Sequence, residues 1–147
     1  MRPKLPPALM MDTAELEARF YDALRKADLE ALMACWADDD DICCVHPGGT
    51  RLIGAQAIRA SFEAIFARGA IPVQVDQPRR VVNASLAVHS VLECITVKGE
   101  EGGRTAWVMA TNVYACTPKG WRMVAHHASP GLMEKPVDGD DAPPVLH

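Results

Sequence analysis

The strongest constraint on the fold is a series of strand-like segments that fills the second half of the 147-residue chain. These segments are rich in apolar and β-branched residues and are separated by short runs of turn-forming residues. Short connections of this kind join antiparallel neighbours, so the pattern predicts a meander. The predicted strands are residues 71–83, 86–98, 104–117 and 120–128.

The first half of the chain shows helical spacing instead. Asp12 and Asp28 each precede a segment in which apolar residues recur every three or four positions, and a third such segment starts near Gly54. A short apolar strand at residues 42–45 lies between the second and third segments and ends in a Pro-Gly-Gly turn. Helices followed by consecutive strands predict an α+β domain, with three helices on one face of a curved, mainly antiparallel sheet.

The two ends of the chain lack this periodicity. Proline is frequent in residues 1–11, and residues 130–147 mix proline, glycine and acidic residues. We therefore predict a single domain over residues 12–129, with a flexible tail on either side.

Composition and charge narrow the classes of function. A net charge of -4 provides no basic surface for nucleic acid, and no apolar run approaches the roughly 20 residues that span a bilayer. The N-terminal residues lack the apolar core of a secretion signal, so a cytoplasmic location is expected. The five cysteines form no Cys-x-x-Cys pair, which predicts reduced thiols rather than a zinc site. Histidine spacing typical of a metal site and glycine-rich phosphate loops are also missing, so we expect neither a metal nor a cofactor.

The predicted third strand of the meander is apolar on both of its alternating faces. Residues 106–116 read AWVMATNVYAC, whereas a sheet with one wet face alternates between apolar and polar residues. Three helices cover only one face of the sheet. The other face, which would carry Trp107, Met109 and Val113, needs a second layer, and a homodimer formed through this outer sheet face supplies it most simply.

Three histidines lie at strand ends and are the main candidates for chemistry, because histidine titrates near neutral pH. His46 follows the first strand, and His126 and His127 end the last one. Neighbouring residues on a strand face opposite ways, and strict alternation groups His127 with Trp121 and Met123. The sequence leaves open which of His126 and His127 faces the interior. It also leaves open whether these histidines only satisfy hydrogen bonds inside the protein.

Several local motifs resemble the nuclear transport factor 2-like superfamily. This superfamily includes ketosteroid isomerase, SnoaL-like polyketide cyclases and the calcium/calmodulin-dependent protein kinase II association domain. The resemblance covers nearly the whole predicted domain and implies a cone-shaped fold with an apolar pocket between the helices and the sheet. The matching segments are residues 27–32 (ADLEAL), 36–39 (WADD), 45–47 (VHP), Gly54 with Ile58 and Phe62, and 120–129 (GWRMVAHHAS).

The resemblance also implies roles for individual residues. The general-base aspartate of the isomerase falls on His46, its oxyanion-hole aspartate on Asn112, and its oxyanion tyrosine on Phe20. Because Phe20 cannot donate a hydrogen bond to an enolate, steroid isomerisation itself is not expected. The implied catalytic set is His46 as base, Asn112 as oxyanion donor and His127 as proton shuttle. The implied ligand-binding residues are Phe20, Trp36, Phe62, Phe66 and Leu92.

Two hypotheses from different functional classes follow. In the first, a dimeric SnoaL-like domain binds a small apolar ligand in the cone, with or without histidine-based proton transfer of the isomerase or cyclase type. In the second, the domain is a non-catalytic association module that resembles the kinase II association domain. The identity of the ligand is not encoded in any recognisable motif.

Overall fold

The computed structural model describes residues 11–99 and 102–139, in which three helices precede most of a six-stranded sheet. This is the predicted α+β architecture. The helices are α1 (Thr13–Lys26), α2 (Leu29–Ala34) and α3 (Ala55–Phe66). The strands are β1 (Cys43–Val45), β2 (Arg51–Ile53), β3 (Val73–Val82), β4 (Leu86–Gly99), β5 (Gly102–Thr117) and β6 (Gly120–Ala128).

Both predicted helix starts are capped by an aspartate. The side chain of Asp12 accepts a hydrogen bond from the Glu15 amide at 2.8 Å, and that of Asp28 accepts one from the Ala31 amide at 3.1 Å. Each bond satisfies a backbone donor that the first helical turn leaves free. No helix in the described ranges is both long enough and apolar enough to cross a membrane.

The sheet has the order β2-β1-β6-β5-β4-β3. Strands β3 to β6 form the predicted antiparallel meander, whereas β1 runs parallel to β6. Strand β2 was not predicted, because its three residues are too few to show a period. The parallel pairing places Cys44 beside His126 and Val45 beside His127, so it brings the end of β1 next to the end of the last strand.

A β-bulge near Val124 decides which side chains of β6 face the helices. Met123 pairs with Tyr114, but Ala125 pairs with Val113, so Val124 is an extra residue in the ladder. An extra residue reverses the alternation beyond it. Met123 and His126 therefore both point inward, although strict alternation places them on opposite faces.

The segment after β6 packs on the outer face of the sheet. Trp107 and Leu132 exchange two backbone hydrogen bonds of 2.8 Å, and the Lys135 ammonium lies 3.0 Å from the Asp76 carboxylate. Leu132, Lys135 and Asp138 thus make long-range contacts with the domain although they lie beyond the predicted boundary at residue 129. The rest of the predicted tails, residues 1–10 and 140–147, lies outside the described residues.

Candidate functional site

A cluster of five aromatic side chains lies between α1, α3 and the inner face of the sheet. We call it the aromatic cluster. Its rings meet at centroid distances of 4.8 Å (His46–Phe62), 5.3 Å (Phe20–His126), 6.0 Å (Phe62–Phe66) and 6.3 Å (Phe20–Phe62). Phe20, Phe62 and His126 are buried, whereas His46 and Phe66 are only half-buried. The cluster is therefore open to solvent on the side of His46.

A tight turn after β1 positions His46. Gly48 has a φ of +73°, which glycine adopts without strain, and the Gly49 amide donates a 2.8 Å hydrogen bond to the His46 carbonyl. A side chain at position 49 would also crowd that carbonyl, because an added Cβ would lie 3.2 Å from its oxygen. The Pro-Gly-Gly sequence thus turns the chain directly behind the imidazole.

The hydrogen bonds around His46 fix its tautomer. The Ser61 hydroxyl donates to the Ile58 carbonyl at 2.6 Å, so its single proton is already used. With that orientation of the hydroxyl, the Ser61 oxygen accepts from the His46 Nε2, which lies 2.9 Å from it and 3.8 Å from the Cys44 Sγ, and the ring proton sits on Nε2. Burial lowers the pKa of His46 and favours this neutral form. Nδ1 is therefore the unprotonated ring nitrogen.

A chain of hydrogen bonds runs from His126 into the core. His126 Nδ1 lies 2.5 Å from Asn112 Oδ1, Asn112 Nδ2 donates to the Tyr21 hydroxyl at 3.0 Å, and Tyr21 donates to Glu93 at 2.6 Å. All four side chains are at least 95% buried. Every donor in this series of hydrogen bonds meets an acceptor, and the series ends at the Glu93 carboxylate. We call it the buried relay.

Burial shifts the pKa values of the two titratable groups at the ends of the relay, Glu93 and His126. It raises the pKa of Glu93 to about 7, although the hydrogen bond from Tyr21 opposes part of this change. Burial also lowers the pKa of His126 to about 3, and the neighbouring His46 and His127 add to the effect. His126 is therefore a neutral imidazole throughout the physiological pH range.

The structure brings together several of the predicted site residues. Phe20, His46, Phe62 and Phe66 belong to the aromatic cluster, and Asn112 lies behind it in the buried relay. However, both polar atoms of the Asn112 side chain already have partners inside the protein. The carbonyl and one N–H of Asn112 are thus engaged inside the protein, and its role as oxyanion donor stays a prediction.

Three predicted site residues lie outside the aromatic cluster. His127 is exposed on the outer face, because the bulge at Val124 reverses the alternation and turns His126 inward. Leu92 is buried on that same outer face, next to Met109 and the C-terminal segment. Trp36 lines a separate cleft of about 660 Å³ together with Arg122, and its indole nitrogen has no hydrogen-bond partner within the described residues.

Sequence reasoning missed Tyr21 and Glu93 and did not choose His126. Tyr21 follows Phe20 on the buried side of α1, and Glu93 interrupts an otherwise apolar stretch of β4. A lone acidic residue in such a strand is a signal for a buried hydrogen-bonded carboxyl group. The sequence does not reveal its partner, since Tyr21 lies 72 residues away.

A second buried carboxylate lies at the start of α1. Glu17 accepts hydrogen bonds from His89 Nδ1 at 2.9 Å and from Arg80 at 2.7 Å, while His89 Nε2 lies 3.1 Å from the Thr13 hydroxyl. Burial opposes ionisation of Glu17, but the bonds from His89 and Arg80 outweigh it and hold the pKa below its ordinary value. This network joins α1 to β3 and β4.

Within the described residues, the cysteines and the potential metal ligands do not point to a second site. All five cysteines are free thiols, and burial raises the pKa of Cys44 to about 12, which disfavours the thiolate that a nucleophile needs. Among the described residues, no group of three or more histidine, cysteine, aspartate and glutamate side chains is arranged to hold a metal ion.

Comparison with known proteins agrees with this fold. The family model of the SnoaL-like domain matches residues 14–133, which is most of the chain. The chain belongs to the SnoaL-like domain family. The predicted membership of the nuclear transport factor 2-like superfamily is confirmed, as is the predicted fold class. Members of this family share the architecture, so the activity has to be argued from the site.

Among solved structures, this SnoaL-like domain is 35% identical to a Thiobacillus denitrificans protein assigned as a calcium/calmodulin-dependent protein kinase type II association domain. That likeness covers 88% of this chain and 98% of the other, with a TM-score of 0.74. A Streptomyces avermitilis protein assigned as a dehydratase of the NTF2-like family is 29% identical, with 80% and 92% of the two chains covered and a TM-score of 0.71.

One curated relative is the F-box protein SKIP8 of Arabidopsis thaliana. It is 24% identical to this SnoaL-like domain over 133 residues, which cover 90% of this chain and 52% of that protein. The chain thus spans about half the length of this relative.

Proposed function

We propose that this SnoaL-like domain is a self-associating module whose outer sheet face packs against a second copy. The observation that carries the proposal is a row of small apolar side chains across four strands. In this row Val81 pairs with Val88, Val88 with Val113, and Val113 with Ala125. Val81 is 73% exposed, and Val88, Val113 and Ala125 are half-buried. An apolar row that reaches the surface across four strands is a typical association surface.

The similarity to known structures supports the same proposal. The Thiobacillus denitrificans protein that is 35% identical to this chain is assigned as an association domain. The C-terminal segment covers the neighbouring part of the outer face, around Trp107 and Leu92, and leaves the valine row free. Two copies related by a two-fold axis would place this row against itself, as an isologous dimer interface requires.

A charged residue in the valine row should therefore prevent self-association. We expect the unmodified protein to have twice the 15.9 kDa chain mass in light scattering. A Val88→Glu substitution would put two like charges into the interface and weaken dimerisation by at least about tenfold. Val97→Glu is the matched control, because Val97 lies on the same strand, faces the other way and is 56% exposed.

Two outcomes would refute the proposed interface. One is a single-chain mass for the unmodified protein at all concentrations tested. The other is a Val88→Glu variant that remains folded by circular dichroism and dimerises as well as Val97→Glu.

As a second function, we propose that the aromatic cluster binds a small, largely apolar ligand. A specific observation favours it, since the ring of His126 is 95% buried, its Nε2 makes no hydrogen bond within the described residues, and the small exposed part of the ring leaves this atom within reach of water or a ligand. A polar atom at the edge of a mostly buried ring takes its partner from one of these two sources. Half-buried side chains at His46, Ser61 and Phe66 leave an approach from solvent. Aromatic walls with few polar atoms are typical of small-molecule sites.

Proton transfer at this cluster would depend on His46. Asn112 already uses one N–H on Tyr21 and lies behind the cluster in the buried relay, and His126 is too weak a base with a pKa near 3. His46 keeps an unprotonated Nδ1 and is half-buried at the open side. We therefore propose ligand binding as the main role of the cluster, with His46 as the candidate base if turnover occurs.

A small apolar probe should perturb the histidines of the cluster but not the histidine outside it. We expect anisole to shift the imidazole NMR signals of His46 and His126 in a saturable titration, with a Kd on the order of 1 mM. His127 is the internal control, because it is exposed on the outer face. Equal small shifts at all three histidines would indicate non-specific contact and contradict the proposed pocket.

A further inference from the structure

We infer that the aromatic cluster selects neutral ligands that donate a hydrogen bond, such as phenols and alcohols. This inference rests on the ligand pocket proposed above and goes further by naming the chemical class of the ligand. It follows from which atoms donate and which accept hydrogen bonds along the buried relay and around His46.

The relay has only one consistent direction when Glu93 is ionised. A carboxylate only accepts hydrogen bonds, so Tyr21 must donate to Glu93 and use its single proton there. The Tyr21 oxygen then accepts from the Asn112 amide, which turns the Asn112 carbonyl toward His126. The ring proton of His126 must sit on Nδ1 to satisfy that carbonyl. His126 Nε2 therefore carries a lone pair and no proton.

His46 also has an unprotonated ring nitrogen that can accept a hydrogen bond. Its proton sits on Nε2 and is donated to Ser61, so Nδ1 carries a lone pair as well. Each of the two histidines at the cluster thus uses its N–H inside the protein and leaves an acceptor nitrogen. A ligand that brings its own donor would satisfy such an atom, whereas a ligand that only accepts would leave it unpaired, which is costly in a buried site.

The charges around the cluster disfavour anions. Both imidazoles are neutral, and the other members of the cluster, Phe20, Phe62 and Phe66, carry no charge. The charge connected to His126 through the relay is the Glu93 carboxylate, which repels a second negative group. A carboxylate ligand would also lose its hydration without gaining a donor from either imidazole.

Three small aromatic probes separate these preferences. Phenol donates a hydrogen bond, anisole has the same ring with an acceptor only, and benzoate is an anion. We propose NMR titrations of the full chain at about pH 8, where Glu93 is ionised, with the His46 and His126 signals as the readout. Phenol should bind about five- to tenfold more tightly than anisole, as one extra hydrogen bond provides, and benzoate more weakly than either.

Tyr21 acts here as a positioning residue, and two tyrosine variants test this. Tyr21→Phe removes the hydroxyl that orients Asn112, so the preference for phenol over anisole should fall toward equality while anisole binding persists. Tyr114→Phe is the comparison variant, because that hydroxyl is also buried and lies near Asn112 but makes no hydrogen bond of ordinary geometry within the described residues. Nitrogen NMR of the imidazole should show an unprotonated Nε2 on His126 in the unmodified protein and in Tyr114→Phe.

The outcomes distinguish this inference from the pocket on which it rests. Equal affinities for phenol and anisole, tighter binding of benzoate, or a protonated Nε2 on His126 would overturn the inference and leave the pocket standing. If none of the three probes shifts His46 or His126, the proposed pocket fails and the inference fails with it. The comparison of probes uses the unmodified protein, so it does not depend on whether Tyr21→Phe folds.

Discussion

Replacing Glu93 with glutamine is expected to stabilise the protein by about 3 kcal/mol at about pH 9. Burial raises the pKa of this carboxyl group from 4.5 to about 7, so the folded state binds a proton more tightly than the unfolded state does. The stability that Glu93 contributes is therefore fully present below pH 4.5 and is lost as the pH rises through about 7. Glutamine stays neutral and still accepts the Tyr21 hydrogen bond, so it avoids this loss.

The dependence on pH makes the Glu93→Gln test specific. Urea denaturation at a series of pH values should show a gain that is below about 1 kcal/mol at about pH 5, grows as the pH rises through about 7 and then stays constant up to about pH 9. A constant gain at all pH values would point to better packing rather than to ionisation. A loss of stability at about pH 9 would show that the charged form of Glu93 is favoured in the folded protein, contrary to our interpretation.

Glu17→Gln should have the opposite effect, with a loss of about 2–4 kcal/mol near neutral pH. The charged carboxylate of Glu17 accepts from His89, which is fully buried, and from Arg80, which is partly exposed. Because these bonds hold the pKa of Glu17 below its ordinary value, their stabilisation is present above about pH 4.5 and disappears as the pH falls through the folded pKa. Glutamine cannot replace either charge-assisted bond.

The two glutamate variants serve as controls for each other, since each removes one buried carboxylate by the same chemical change. Urea denaturation near pH 7 should lower the free energy of unfolding of Glu17→Gln, and the difference from the unmodified protein should shrink toward acidic pH. If Glu17→Gln is as stable as the unmodified protein at neutral pH, the network with His89 and Arg80 contributes no net stability.

The architecture was accessible from the sequence because it depends on local signals. The caps at Asp12 and Asp28 and the apolar spacing in the first half predicted α1 and α2, and the turn residues between the later segments predicted the meander. These signals act over a few residues, and the corresponding elements begin within a few residues of the expected positions. The resemblance to the nuclear transport factor 2-like superfamily added the expectation of a cone-shaped fold.

The candidate site was only partly predictable, because it depends on contacts between distant residues. One extra residue at Val124 decides whether His126 or His127 faces the helices, and no local motif marks that bulge. Tyr21 and Glu93 are each ordinary in their own segments and become a pair only in the folded chain. Likewise, the outer position of Leu92 depends on its register with Met109.

The parallel pairing of β1 with β6 has a consequence for biosynthesis. Cys44 meets its partner His126 only after the last strand has been made, whereas the α1 and α2 helices and the β3–β4 hairpin need only earlier parts of the chain. Loop closure over such a distance is slow compared with helix and hairpin formation. On the ribosome, His46 and His126 would thus be brought together among the final events of folding, when nearly the whole domain has left the exit tunnel.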